Sequence, residues 1–220
     1  MNKFIQVAID SPAAAGAGTQ AKLIAKHYNL FHLDTGKIYR FIGRLRIQYK
    51  KKFSYKLVKR KIRNLKIQEL KKKNLLSNKV AAEASIIAKD RKIRKIVHNF
   101  QIKCAYSPPK KFNGSCLDGR DITYKIIPDA DIKLFITASI KVRSMRRYKE
   151  LKMLRKNVKL NDILKSIKKR DKNDYNRRIS PLKKTKDSIL INTSKLSKKA
   201  SFKKIKMIMD KKLKKVNGSI

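Results

Sequence analysis

The stretch IDSPAAAGAGTQAK, Ile9–Lys22, decides how this chain is read. A strand-like run, FIQVAID at 4–10, enters a turn of small residues, and the turn opens an amphipathic segment, TQAKLIAKHY at 19–28. Strand, glycine-containing turn and helix start in that order are the layout of a phosphate-binding loop of the type G-x-x-x-x-G-K-[ST]. The candidate phosphate-binding residues are therefore Ser11, Pro12, Ala13, Ala14, Ala15, Gly16, Ala17, Gly18 and Thr19. Gly16 and Gly18 let backbone amides approach an anion unobstructed, and a helix amino terminus favours negative charge. Thr19 brings a hydroxyl that can ligate Mg²⁺. Two positions depart from the motif: Ser11 stands at the first glycine, and Ala17 stands where the lysine would reach the terminal phosphates.

Four further apolar runs suit buried parallel strands: LFHLD (30–34), CLDGRD (116–121), DIKLFITA (131–138) and DSILIN (187–192). Helix-length patterns separate most of them, so the chain reads as an α/β sandwich around a parallel sheet. Each run ends in or beside a polar cluster, IDSP, LDTG, LDGRD, TAS or INTS. Ligands of such sheets bind beyond the carboxyl ends of the strands, which makes these clusters the candidate active edge. Residues 45–79 are charge-rich and weakly periodic, and 143–160 form an arginine-studded helical stretch; both read as insertions over the sheet edge. Phe202, Ile205, Ile208 and Met209 are spaced for one face of a carboxyl-terminal helix packed on the core. The sequence shows no internal repeat.

With 60 Lys and Arg against 15 Asp and Glu, the net charge of +45 would attract any polyanion. The basic residues are spread along the whole chain and are mostly lysine, alongside frequent Ile and Asn, which is the signature of A/T-rich codons. There is no Trp, and the Tyr and Phe do not stripe the basic segments as in a single-strand binder, so no specific nucleic acid is expected as a partner. Cys104 and Cys116 lack any metal-ligand spacing and read as free thiols of a reducing cytoplasm. No run approaches a membrane span, and the start MNKFIQVAIDSP is too short in its apolar part for a signal peptide. A soluble cytoplasmic protein with no membrane contact is expected.

Five blocks, in order, resemble the bacterial cytidylate kinase family: IDSPAAAGAGT at 9–19, LDTGKIYR at 33–40, VAAEASIIAKDRKIR at 80–94, LDGRDITYKIIPDADIKLFITAS at 117–139 and KRDKNDYNRRISPL at 169–182. The resemblance covers most of the chain outside 45–79. It implies a P-loop NTPase-type parallel sheet with nucleoside monophosphate kinase architecture in one kinase domain. The core would take 1–35, 100–142 and 161–220, the acceptor-binding insertion 36–99 and the lid 143–160. It implies transfer of the ATP γ-phosphoryl group to CMP or dCMP, with Mg²⁺ accompanying ATP and with positioning and charge neutralisation as the means of catalysis. Ser85, Arg94 and Asp121 fall where the family recognises cytosine, whose exocyclic amine a carboxylate can accept. Asp174 falls at the ribose, Thr35 beside the acceptor phosphate, and Arg40, Arg120, Arg170 and Arg177 around the phosphates, where bidentate guanidiniums serve well. Arg143, Arg146 and Arg147 would close over the transferred group, Arg147 with Arg170 and Arg177 in catalytic roles. A monomer is the default for this architecture.

The departures from the family pattern are Ala17, Ser11, Thr123 and Tyr124 in place of Gly-Thr, Leu76 near a frequent arginine, and a shortened 45–79 lobe. Lys37 stands where the family has a small residue, two positions past Thr35, which suggests an ammonium relocated from position 17 to the other side of the phosphates. The alternative is a non-catalytic nucleotide- or RNA-binding protein on a kinase scaffold, motivated by Ala17 and the charge.

Overall fold

The computed structural model describes residues 4–154 and 157–217. Residues 1–3 and 218–220 of the expected core and 155–156 of the expected lid lie outside the described residues. The five anticipated strands are present as β1 (Ile5–Asp10), β2 (Phe31–Asp34), β3 (Gly114–Gly119), β4 (Ile132–Thr137) and β5 (Ile189–Asn192). They form one sheet in the order β2-β3-β1-β4-β5, and every pair is parallel. The register aligns Asp10 with Gly119, Asp34 with Asp118 and Thr137 with Asn192, so the polar strand ends share one edge.

β3 begins two residues before the apolar run that announced it, at Gly114 and Ser115 opposite Ile5 and Gln6. A serine can occupy this buried strand because its hydroxyl donates to the Ala105 carbonyl at 2.8 Å. At the other end Arg120 and Asp121 leave the ladder, which frees both side chains at the active edge.

Eight α-helices follow the strands among the described residues: α1 (Ala17–His27), α2 (Thr35–Tyr49), α3 (Tyr55–Arg63), α4 (Asn78–Ile87), α5 (Arg91–Tyr106), α6 (Ile140–Met153), α7 (Leu160–Asn176) and α8 (Lys198–Asn217). Short polar residues start four of them. Ser54, Ser77, Asp90 and Ser139 accept from the amides of Leu57, Val80, Ile93 and Val142, each satisfying one orphan N–H of the first turn. The sheet is covered on both faces, and strand alternation distributes its side chains between two cores. Val7, Ile9 and Cys116 face α1 and α8, while Ala8, Leu117 and Leu33 face the α2–α5 layer. In α8, Ile205 and Met209 are buried and Phe202 and Ile208 partly so, as the spacing requires.

Residues 45–79 are more ordered than their composition suggests. They hold the end of α2, the whole of α3 and three short 3₁₀ turns, with Val58, Ile62, Leu65, Leu70 and Leu75 buried in the same core as Ile42, and Leu57 is buried too. The apolar residues there are separated by lysines, so the period is hard to see, yet most of them are buried or partly buried.

α2 and α4 approach closely at Gly43, where a Cβ would lie 2.9 Å from the Ala84 amide nitrogen and 3.1 Å from the Val80 carbonyl. Backbone atoms cannot yield as side-chain ends do, so Gly43→Ala should force the helices apart. The expected cost is about 1–3 kcal/mol, the usual scale of overpacking. A thermal melt checks it, and an unchanged midpoint would mean that the two helices are not held at this distance.

Candidate active site

Gly16 adopts the left-handed region, φ 92°, immediately before α1, and Ala14 does so at φ 60° without the freedom of a glycine. These two conformations curl 13–16 ahead of the helix amino terminus. The loop is braced from outside. Arg143, buried in α6, donates to the Ala13 carbonyl at 3.0 Å and pairs with Asp171 of α7 at 2.6 Å. Arg146 donates to the Ala15 carbonyl at 3.2 Å and to the hydroxyl and carbonyl of Thr193, and the Thr193 hydroxyl also reaches the Ala15 carbonyl at 3.2 Å. Arg143 and Arg146 thus bind the loop's own carbonyls, where the sequence suggested that they close over a transferred group.

Beside α1 lie two carboxylates that the sequence reading did not single out, although they stand in its LDTG and LDGRD clusters. Asp118 Oδ2 would be 3.5 Å from a Cβ on Gly18, and Asp118 Oδ1 is 2.7 Å from His32 Nε2. Burial and then Asp118 push Asp34 above its ordinary value, while the charges of Lys37, His32 and Arg40 pull it back. Lys37 therefore lies near this carboxylate pair, and it is not among the residues lining the neighbouring cleft. Thr19 is exposed in the first turn of α1.

That cleft lies between α2, α4, the end of β3 and α7. All nine residues expected at the acceptor line it: Thr35, Arg40, Ser85, Arg94, Arg120, Asp121, Arg170, Asp174 and Arg177. The sequence reading did not include Gly36, Tyr39, Ala81, Ala84 and Ala88, which also line it. The three alanines recur along α4 at the spacing of one helix face, which was their signal, and their small size leaves room above that face.

Arg94 and Asp121 form a pair at 2.5 Å with side chains only 8% and 7% exposed, and Arg94 also donates to the Ala88 carbonyl. The guanidinium stands 5.5 Å from the Tyr39 ring centroid, in cation–π range. Asp174 is ringed by Arg120 at 2.8 Å, Arg177 at 3.7 Å and Arg170 at 3.9 Å. Burial alone would raise the pKa of Asp174, but Arg120, Arg170 and Arg177 outweigh burial and hold it below the usual carboxylate value. Five arginines against two carboxylates give the cleft lining an excess of three positive charges. Burial, then repulsion from Arg120, brings Arg170 down to about 10, and Arg40 and Arg147 add to the repulsion. Arg40, whose guanidinium rests on the Leu75 carbonyl, is lowered by burial and then by Arg147. Arg147 is thus close to the cluster and balanced by Glu150 at 2.8 Å. Such a surplus is a site for a dianion such as a phosphate monoester.

A sequence profile of the cytidylate kinase family matches residues 7–211. Curated cytidylate kinases of similar sequence include those of Methylocella silvestris, 37% identical over 205 residues covering 93% of each chain, and Bartonella tribocorum, 38% identical over 209 residues covering 92% of each. The cytidylate kinase of Bartonella quintana is 39% identical over 204 residues, covering 92% of this chain and 93% of its own. Among solved structures, an uncharacterized protein from Eubacterium ventriosum shares the fold, with a TM-score of 0.56, 19% identity and coverage of 94% of this chain and 98% of that one.

The buried Arg94–Asp121 pair yields a stability prediction. Asp121→Ala leaves a guanidinium enclosed without its carboxylate, for an expected loss of about 3–5 kcal/mol. Arg94→Met with Asp121→Leu should cost less than the single change, because no charge remains buried. Urea denaturation of the two variants reads this, and a double variant weaker than Asp121→Ala would show that the pair is not the reason for the loss.

Proposed function

The chain belongs to the cytidylate kinase family, and we propose that its two neighbouring sites divide the work of that reaction as follows. The enzyme transfers the γ-phosphoryl group of ATP to CMP or dCMP, giving ADP and CDP or dCDP. The loop from Ser11 to Thr19 holds the ATP phosphates on backbone amides at the start of α1. The lined cleft holds the acceptor. Asp121 accepts from the cytosine amine, Arg94 and Ser85 complete the base edge, and Asp174 takes the ribose hydroxyls. Arg40, Arg120, Arg170 and Arg177 enclose the acceptor phosphate beside Thr35, and Arg147 faces the gap from the lid, 143–160. The observation that carries this reading is the cleft itself, in which all nine acceptor residues converge from four separate parts of the chain.

Catalysis in this reading is positioning and charge. The surplus guanidiniums attract the acceptor dianion and the phosphoryl group in transit, and their mutual repulsion is relieved only when those anions are present. The oxygen donors near α1 suit a hard cation: Thr19 offers its hydroxyl, and Asp34 and Asp118 lie alongside. Among the described residues no group of three or more His, Cys, Asp or Glu could hold a metal ion, so Mg²⁺ is read as entering with ATP. When bound there it neutralises phosphate oxygens. Lys37 is read as the relocated ammonium, supported by its charge acting on Asp34 at the active edge. No helix of the described residues is long and apolar enough to cross a membrane, which suits a cytoplasmic enzyme. No observation favours the non-catalytic scaffold.

Two measurements test the reading. A coupled assay with CMP, dCMP, UMP and AMP should favour the cytidine nucleotides by about 100-fold or more, because a site built to hydrogen-bond one base edge leaves its groups unpaired with another. Comparable turnover of AMP would remove Asp121 and Arg94 from base recognition. Separately, Lys37→Ala should lower kcat by about 10²-fold, the scale of one lost electrostatic donor, and Ala17→Lys in that background should restore part of it. Near-normal turnover of Lys37→Ala would end the relocation idea.

A further inference from the structure

Between β3 and β4 the chain makes one π-helical turn, Ile122–Ile126, a geometry that concentrates at functional sites. It is tied at one end to the root of the phosphate-binding loop. Asp10, fully buried at the end of β1, accepts from the amides of Ile122 and Thr123 and from the Thr123 hydroxyl, at 2.8, 2.9 and 2.6 Å. Burial lifts Asp10 to about 6, against these three bonds, each of which favours the carboxylate form. The next residue, Tyr124, reaches the other way. Its hydroxyl donates to the Pro181 carbonyl at 2.5 Å, and the Lys183 ammonium sits 4.3 Å from its ring centroid.

Pro181 belongs to the segment that carries Arg177 out of α7. That segment is tight: Arg177 Nε donates to the Ser180 carbonyl at 2.6 Å, Ser180 lies in the left-handed region at φ 51°, and the Leu182 amide returns to the Asp174 carbonyl at 2.7 Å. These bonds close the segment on itself and on α7. Among the described residues, the hydrogen bond that fixes it to any other element is the one from Tyr124. Arg177 meanwhile lines the acceptor cleft with its side chain 9% exposed, and its Nη2 is buried without a hydrogen-bond partner. A buried guanidinium nitrogen with no acceptor is costly unless a ligand supplies one, so its position matters to whatever enters the cleft.

We propose that Tyr124 is a positioning residue for acceptor binding, holding the 177–182 segment through Pro181 so that Arg177 stays aimed into the cleft. The proposal rests on the acceptor reading of that cleft. The phenol suits the task because it spans the distance from a rigid turn to a backbone carbonyl. Threonine, which the family pattern has at this position, is too short to make the same bond.

The test compares Tyr124→Phe, which keeps the ring and the Lys183 contact, with Tyr124→Thr and with Arg177→Ala. Loss of one hydrogen bond should raise KM for CMP by about 3- to 10-fold in Tyr124→Phe, with KM for ATP unchanged. Arg177→Ala should raise KM for CMP at least as much, and the double variant Tyr124→Phe with Arg177→Ala should be no worse than Arg177→Ala alone, since both act through one group. A normal KM for CMP in Tyr124→Phe and Tyr124→Thr, or equal losses for both substrates, overturns the proposal while Arg177→Ala remains impaired. If Arg177→Ala itself binds CMP normally, the acceptor reading of Arg177 fails first. Should Tyr124→Thr melt below assay temperature, calorimetric titration of Tyr124→Phe with CMP gives the same decision.

Discussion

Asp174 is the charge on which the cleft depends. Arg120 comes from the end of β3, and Arg170 and Arg177 come from α7 and the residue after it; all three turn toward this one carboxylate. Without it, the three guanidiniums would lose the one carboxylate that each of them pairs with, since Asp121 is already matched to Arg94 at 2.5 Å. Its backbone contributes as well: the Asp174 carbonyl accepts the Leu182 amide and so folds the next segment back against α7. One residue therefore sets both the electrostatic balance and the local chain path. The balance is deliberately incomplete, because five arginines over two carboxylates leave room for a ligand of two or more negative charges.

The sheet was legible because buried parallel strands are short apolar runs, and each one here stops at a polar cluster. The residues of the cleft were legible for a different reason. The LDTG, LDGRD and NDYNR blocks resemble those of one family, and that resemblance, carried over position by position, pointed to them before any geometry was known. What the sequence hid were choices made between distant segments. Arg143 and Arg146 could not be told from Arg147 by type or spacing, yet the first two bind loop carbonyls and the third faces the arginine cluster. The bond from Tyr124 to Pro181 joins positions 57 residues apart, and the one from Thr123 to Asp10 joins positions 113 apart. No local pattern encodes such a bond. The 45–79 segment was obscured differently: its buried leucines are outnumbered by lysines whose heads remain in solvent.

The missing loop lysine is best understood by separating shape from charge. In a phosphate-binding loop the backbone must curl so that amides point inward, and here that curl is fixed by Gly16 and by contacts from outside. Arg143 and Asp171 hold both polar atoms of Ala13's backbone, at 3.0 and 3.4 Å, and Arg146 and Thr193 both bond the Ala15 carbonyl. A loop braced in this way keeps its form with an alanine at 17, which is itself buried. Position 17 thus lacks only the positive charge that the motif's lysine would carry. Elsewhere at the same sheet edge, Lys37 acts on Asp34, and Arg147 acts on Arg40 and Arg170. Because Coulomb interactions act over several ångströms in a partly enclosed site, the position of a compensating charge is less constrained than the geometry of a hydrogen bond. The same α6 that braces the loop through Arg143 and Arg146 carries Arg147, so any movement of that helix would change the shape of the loop and the charge beside the cleft together.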